Sequence, residues 1–254
     1  MKFSFLVLLL IVFTTQTANS QKIKAEDISY AVDFNLAYNF ISADLPSEIE
    51  TDGFIGWQLG GTVAYKLSQK WALGSGLNLA RKGGNIITSD EYEYTDQNGR
   101  TLTSVESLEQ QIRLTYLQLP LFVNYNINSR FQIQAGVQLG YLTTAESTFN
   151  YEDMAFPADD ESVTFDMLED STFNFLGSTI MTRASLNRFE LSGSIRFSYS
   201  LTKNLSVSFL TNIGLTQIDE NSTAIDDDSV SFDSLGIKNR SFMIGLSYRL
   251  NDTF

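Results

Sequence analysis

Six charged residues stand in stretches that are otherwise apolar or small: Asp33, Lys66, Arg188, Glu190, Arg196 and Arg249. Side chains two residues apart share one face of a β-strand, so Arg188, Glu190 and Arg196 project from a common face. Charges gathered on one interior face can line a gated polar path or hold a partner, or they can pair with one another and fill a closed space. Isolated buried charges are costly unless paired, which favours the filling role. Little other chemistry is on offer. With no His and no Cys there is no Ser-His-Asp triad, no thiol nucleophile, no imidazole base and no zinc site. No enzymatic activity, metal or cofactor is expected. Asp226-Asp-Asp228 and Asp159-Asp-Glu161 cluster oxygen donors of the kind calcium takes, but without the spacing of an EF-hand they read as solvated loops.

The elements that must position these charges are strands of strict alternation. From Tyr30 to Phe40 the apolar positions are Tyr30, Val32, Phe34, Leu36, Tyr38 and Phe40, against Ala31, Asp33, Asn35, Ala37 and Asn39. The same division recurs from Ile55 to Leu67, Trp71 to Leu79, Leu117 to Ile127, Phe131 to Tyr141, Phe189 to Leu201, Leu205 to Leu215 and Phe242 to Leu250. That predicts eight strands of about 10 to 14 residues, long enough to cross a bilayer when tilted.

Three hairpins repeat one pattern: Tyr65-Lys-Leu-Ser-Gln-Lys-Trp71, Tyr125-Asn-Ile-Asn-Ser-Arg-Phe131 and Tyr199-Ser-Leu-Thr-Lys-Asn-Leu205. A truncated copy, Tyr248-Arg-Leu-Asn251, runs toward an aromatic Phe254. Tyr65, Trp71, Tyr125, Phe131, Tyr199, Tyr248 and Phe254 are expected to form an aromatic girdle at one lipid boundary.

The polar face carries Gly, Ala, Ser, Asn and Gln rather than the Lys and Glu of a water-facing exterior, so it suits a narrow lumen and leaves the apolar face to lipid. Short turns at Ser68 to Lys70, Asn128 to Arg130 and Thr202 to Asn204 alternate with long connections over Ile41 to Phe54, Arg81 to Gln111, Thr143 to Asn187 and Asp219 to Asn239. This is the outer-membrane pattern, with short turns and both termini periplasmic. The long connections hold four, six, nine and six of the 30 acidic residues, so the net charge of −13 is an outside property that repels nucleic acid.

Lys2, the apolar run from Phe3 to Phe13 and the small residues of Ala18-Asn-Ser20 read as a removed signal peptide over residues 1–20, leaving a barrel domain over 21–254. In Tyr116-Leu-Gln-Leu-Pro120 the apolar parity moves from Leu114 and Tyr116 to Leu117 and Leu119, which predicts a β-bulge or kink between Tyr116 and Pro120.

Gly60-Gly-Thr-Val-Ala-Tyr65, Trp71-Ala-Leu-Gly-Ser-Gly-Leu77 with Arg81-Lys-Gly83, Tyr116-Leu-Gln-Leu-Pro-Leu121 and Ala135-Gly-Val-Gln-Leu-Gly-Tyr141 together resemble the PorT-like outer-membrane β-barrel family of Bacteroidetes. The resemblance implies an outer-membrane barrel of a Gram-negative bacterium. It also implies a link to type IX secretion, whose machinery includes the family's namesake as an accessory, and it supplies no catalytic residues. The sequence therefore predicts an all-β, eight-stranded antiparallel up-and-down transmembrane β-barrel with a structural or partner-binding role. Its expected partners are outer-membrane lipid, the barrel-assembly machinery through the C-terminal strand ending in Phe254, and a protein at the acidic loops. A small transport barrel passing ions or a small ligand is the alternative.

Overall fold

Alternation makes every hairpin two-faced, and in a ring the two faces become an inside and an outside. The structure is a computed structural model describing residues 27–42, 49–95, 99–153, 161–169, 171–175, 178–182, 186–218 and 236–251. Its barrel strands are β1 (Ile28–Ser42), β3 (Phe54–Lys66), β4 (Trp71–Thr95), β5 (Thr101–Asn126), β6 (Phe131–Asp153), β10 (Phe189–Ser200), β11 (Leu205–Gly214) and β12 (Lys238–Arg249). Among the described residues four short strands lie outside the ring: β2 (Ile49–Asp52), β7 (Glu161–Asp166), β8 (Ser171–Phe175) and β9 (Ser178–Thr182).

The order β10-β11-β12-β1-β3-β4-β5-β6 is antiparallel throughout, and β6 pairs back onto β10 with Ile133 opposite Phe197. The ring is therefore closed with eight strands, as the parity predicts. Closure matters because hydrocarbon offers no partner for an unpaired backbone group.

Burial assigns the faces. On β1, Asp33, Asn35, Ala37 and Asn39 are buried while Val32, Phe34, Leu36 and Tyr38 are exposed. Around the ring the exposed belt includes Ile55 at 67%, Phe189 at 73% and Ile244 at 71%, values that make sense only against lipid. A water-soluble protein rarely exposes a contiguous apolar patch beyond a few hundred Å².

The repeated turns share one device. Ser68 Oγ accepts from the amides of Lys70 and Trp71, Asn128 Oδ1 from those of Arg130 and Phe131, and Thr202 Oγ1 from those of Asn204 and Leu205. A short polar side chain three residues after each Tyr thus satisfies the two amides that the tight turn leaves over. The truncated repeat uses the same position differently. Asn251 Oδ1 accepts from the Tyr30 amide at 3.0 Å and its Nδ2 donates to the Ile28 carbonyl, so the repeat clasps β12 to β1 at the closing seam.

Two expectations need correction. Arg81 to Gln111 and Thr143 to Asn187 are not simply loops: β4, β5 and β6 run for 25, 26 and 23 residues. About 9–11 residues cross a membrane, so their far halves, joined by β2 and β7, form a sheet that rises past the barrel.

The bulge also lies elsewhere. Thr115 pairs with Thr144 but Tyr116 with Leu142, so the extra residue is Thr143 on β6, and β5 keeps its parity. Leu114 and Tyr116 stay on the same inner face as Gln118; the sequence changes from polar to apolar there because the lumen does. At Pro120 the ladder to β4 lapses without a register shift, Leu121 opposing Ser75 and Gln118 opposing Asn78, and Ser75 Oγ donates to the Pro120 carbonyl.

Candidate functional site

Among the described residues the alternation gathers buried charge on the inner face, whose side chains lie in layers. Nearest the turn rim, Arg196 Nη1 donates to Asp33 Oδ1 at 2.8 Å, and Thr62 Oγ1 donates to the second carboxylate oxygen at 3.1 Å. Both ionic side chains are at least nine-tenths buried.

Amides fill the next layer. Asn35 Nδ2 donates to Gln58 Oε1 and Gln58 Nε2 to Gln118 Oε1, each at 3.1 Å, linking β1, β3 and β5 across the ring. On the other flank Asn212 Nδ2 donates to Gln138 Oε1 at 3.2 Å. Neutral amides suit this level because they crosslink strands without the desolvation cost of charge.

Farther from the turns lies a second ion pair, Lys82 Nζ to Glu190 Oε1 at 3.0 Å and Oε2 at 3.2 Å, with side chains 2% and 1% exposed. Asn239 Nδ2 donates to Glu190 Oε2, and the Lys82 ammonium sits 5.2 Å from the centre of the Tyr116 ring. Lys82 is held there by β4 rising through the bilayer and by Gly83 immediately after it. Gly83 has φ 145°, and a Cβ at that point would meet the Ile112 carbonyl.

The last layer is apolar: Ile41, Ile86, Ile112, Leu114, Tyr116, Leu142, Ala145, Ile218 and Ile237 pack into one buried cluster, with Leu186 against it. It fills the interior at the end where the tall sheet begins.

The six charges read from sequence thus divide. Asp33, Glu190 and Arg196 enter buried ion pairs; Arg249 lies half-buried on the inner face of β12, and Lys66 half-buried at the turn end of β3. Arg188 does not belong to the set. It precedes β10 and is exposed, and its carbonyl accepts from the Leu142 amide. Lys82, the partner of Glu190, was hidden in the expected loop after Arg81; continuing the parity of Ala72, Asn78 and Ala80 one step further finds it.

At the turn rim the aromatics pair across strands. Trp71 lies 4.7 Å from Tyr125 and Phe131 4.8 Å from Tyr199 between ring centres, while Tyr248 is exposed and Tyr65 half-buried. Phe254, residues 1–20 and the acidic runs at 226–228 and 159–160 lie outside the described residues.

On the tall sheet the inner face is acidic and aromatic. Tyr92 donates to Asp153 at 2.6 Å and Tyr151 to Glu106 at 2.9 Å. The Glu106 bond is the main reason the Tyr151 phenol is pushed up from 10.0 to about 12, and the Asp153 bond likewise raises Tyr92.

A family model described as outer membrane protein beta-barrel domain matches residues 16–220. No significantly similar curated protein was found. Among solved structures, Ail, the attachment invasion locus protein of Yersinia pestis, is 11% identical with a TM-score of 0.40, covering 87% of this chain and 98% of its own. Neisserial surface protein A is 10% identical with a TM-score of 0.40, at 86% and 96% coverage. OprG from Pseudomonas aeruginosa is 16% identical with a TM-score of 0.36, at 88% and 96% coverage. Closed ring, lipid-facing belt and family match agree: the chain belongs to the outer membrane protein β-barrel domain family.

Proposed function

We propose that this outer-membrane barrel is non-enzymatic and has a structural or partner-binding role, exercised through the acidic sheet and connections beyond the membrane. The observation that carries the reading is the filled lumen, in which the buried Lys82–Glu190 pair and the Ile41–Leu114–Leu142 cluster occupy the interior. Eight strands enclose room for little more than packed side chains. Recognition therefore falls to the outside, where the chain places most of its acidic residues.

In this reading the short turns and both termini face the periplasm, residues 1–20 are a cleaved signal peptide, and the C-terminal strand ending in Phe254 engages the barrel-assembly machinery. The PorT-like resemblance supports a place as an accessory of type IX secretion. The test is affinity purification from outer membranes of the full chain and of a chain lacking residues 161–182, which keeps all eight barrel strands. A protein partner that co-purifies with the first and is lost from the second supports the role. An identical set of proteins from both would refute it.

A further inference from the structure

The outward belt changes character at the end of the barrel remote from the turns. On β10 and β12 its last apolar side chains are Phe189 and Phe242, both exposed, and Phe189 rests against Tyr141 with ring centres 5.3 Å apart. Just beyond them stand Arg188, which precedes β10, and Arg240 and Lys238 at the start of β12. We infer that these three cations hold the phosphate of a membrane lipid headgroup.

Position is the first reason. Asn239 and Ser241 are buried, so strand alternation turns Lys238 and Arg240 to the lipid side, and Arg240 is exposed between Phe40 and Ile213 on the neighbouring strands. Backbone hydrogen bonds of 2.8 and 2.9 Å join Asn187, Ile218 and Ile237 in one row, which sets Arg188 and Lys238, each one residue further on, two strand spacings or about 10 Å apart. Long basic side chains can close that gap around one phosphate.

Charge is the second. β10, β11 and β12 contain a single acidic residue, Glu190, and it points inward to Lys82. Their outward rim is thus cationic in a chain of net charge −13, and clustered Lys and Arg at a membrane boundary attract anionic headgroups.

Contrast with the opposite flank is the third. There the outward cations are already engaged: Arg81 pairs with Glu146 at 3.4 Å, and Arg113 donates to the Gly84 carbonyl, Asn85 and Gln111. Among the described residues the side chains of Arg188, Lys238 and Arg240 enter no such bond or ion pair. A phosphorylated lipid fits both parts of the flank, its acyl chains along Ile213, Phe242 and Ile244 and its phosphate among the cations. A soluble phosphate would leave the adjoining belt unused. The site depends neither on which leaflet that rim meets nor on the external partner proposed above.

The test titrates the full chain, in micelles of an uncharged detergent, with dioleoyl phosphatidic acid and counts bound lipid by native mass spectrometry. Unheated gel mobility identifies the folded barrel in each sample. One lipid should bind saturably, and the triple variant Arg188→Gln, Lys238→Gln, Arg240→Gln should weaken it at least about tenfold. Arg240→Gln alone should weaken it in part, while Arg81→Gln with Arg113→Gln should leave it unchanged. Dioleoylglycerol, which has the same chains without the phosphate, should not be retained. Equal retention of dioleoylglycerol or oleate, full displacement by inorganic phosphate, undiminished binding in Arg240→Gln and the triple variant, or an equal loss in the Arg81 and Arg113 variant would overturn the inference.

Discussion

Lys82 Nζ and the Glu190 carboxylate meet at 3.0 Å across the lumen, both sealed from water and joined by residues 108 apart in the chain. A pair so placed ties β4 to β10 at the level where the interior turns apolar.

Removing one partner strands a buried charge. Lys82→Met should lower barrel stability by about 3–5 kcal/mol, and Lys82→Met with Glu190→Gln should regain most of that loss. Urea unfolding in lipid vesicles, followed by tryptophan fluorescence, gives both numbers. A single variant as stable as the parent would show that the pair carries no burial penalty.

Asn251 closes the seam by its bonds to Tyr30 and Ile28. Asn251→Ala should cost about 1–3 kcal/mol and accelerate hydrogen exchange at the Tyr30 amide. Asn128→Ala, at the equivalent position of a hairpin turn, should loosen only the Arg130 and Phe131 amides. Unchanged protection at Tyr30 would mean that the seam holds without the clasp.

The outward belt is a lipid surface. Leu77, 55% exposed, lies six residues above the girdle residue Trp71, and Leu77→Arg should destabilise the barrel in membranes by about 2–4 kcal/mol. Leu102→Arg, on the tall sheet and also exposed, should be nearly neutral. Equal effects at the two sites would place the membrane boundary elsewhere.

Tyr151 gives the outer sheet a pH signature. Its phenol ionises at about 12 rather than 10.0, chiefly because it donates to Glu106. The folded state holds this proton more tightly than the unfolded chain, so the contribution of the bond is complete below pH 10 and is lost as pH rises toward 12. Ultraviolet difference titration of the parent against Tyr151→Phe should show that phenol ionising well above pH 10, and Glu106→Gln should bring it down. Ionisation near pH 10 in the parent would break the assignment.

Much of this was legible in the chain. Period-two alternation gave the eight strands, their inner and outer faces and the closing order, because lipid and a packed lumen impose opposite demands on adjacent residues. It also found Asp33, Glu190 and Arg196. What parity missed shares one cause: the expected strands stop where their outward residues cease to be apolar, at Leu79 and Leu117. Beyond the membrane the outward face turns polar while the strand continues, so Lys82, Ile86 and Ile112 fall outside the apolar alternation. The same blindness made Leu114 and Tyr116 look like a parity flip, when an apolar lumen layer and an extra residue at Thr143 explain them. The role of Asn251 was masked because its hydrogen-bond partners, Tyr30 and Ile28, lie more than 200 residues away.

A lumen filled by Lys82, Glu190 and the apolar cluster above them should not conduct, and planar-bilayer recording of the purified parent protein reads this out. The parent barrel should give no stepped conductance; stable single-channel steps from it would mean that the lumen is open and that function need not lie outside it.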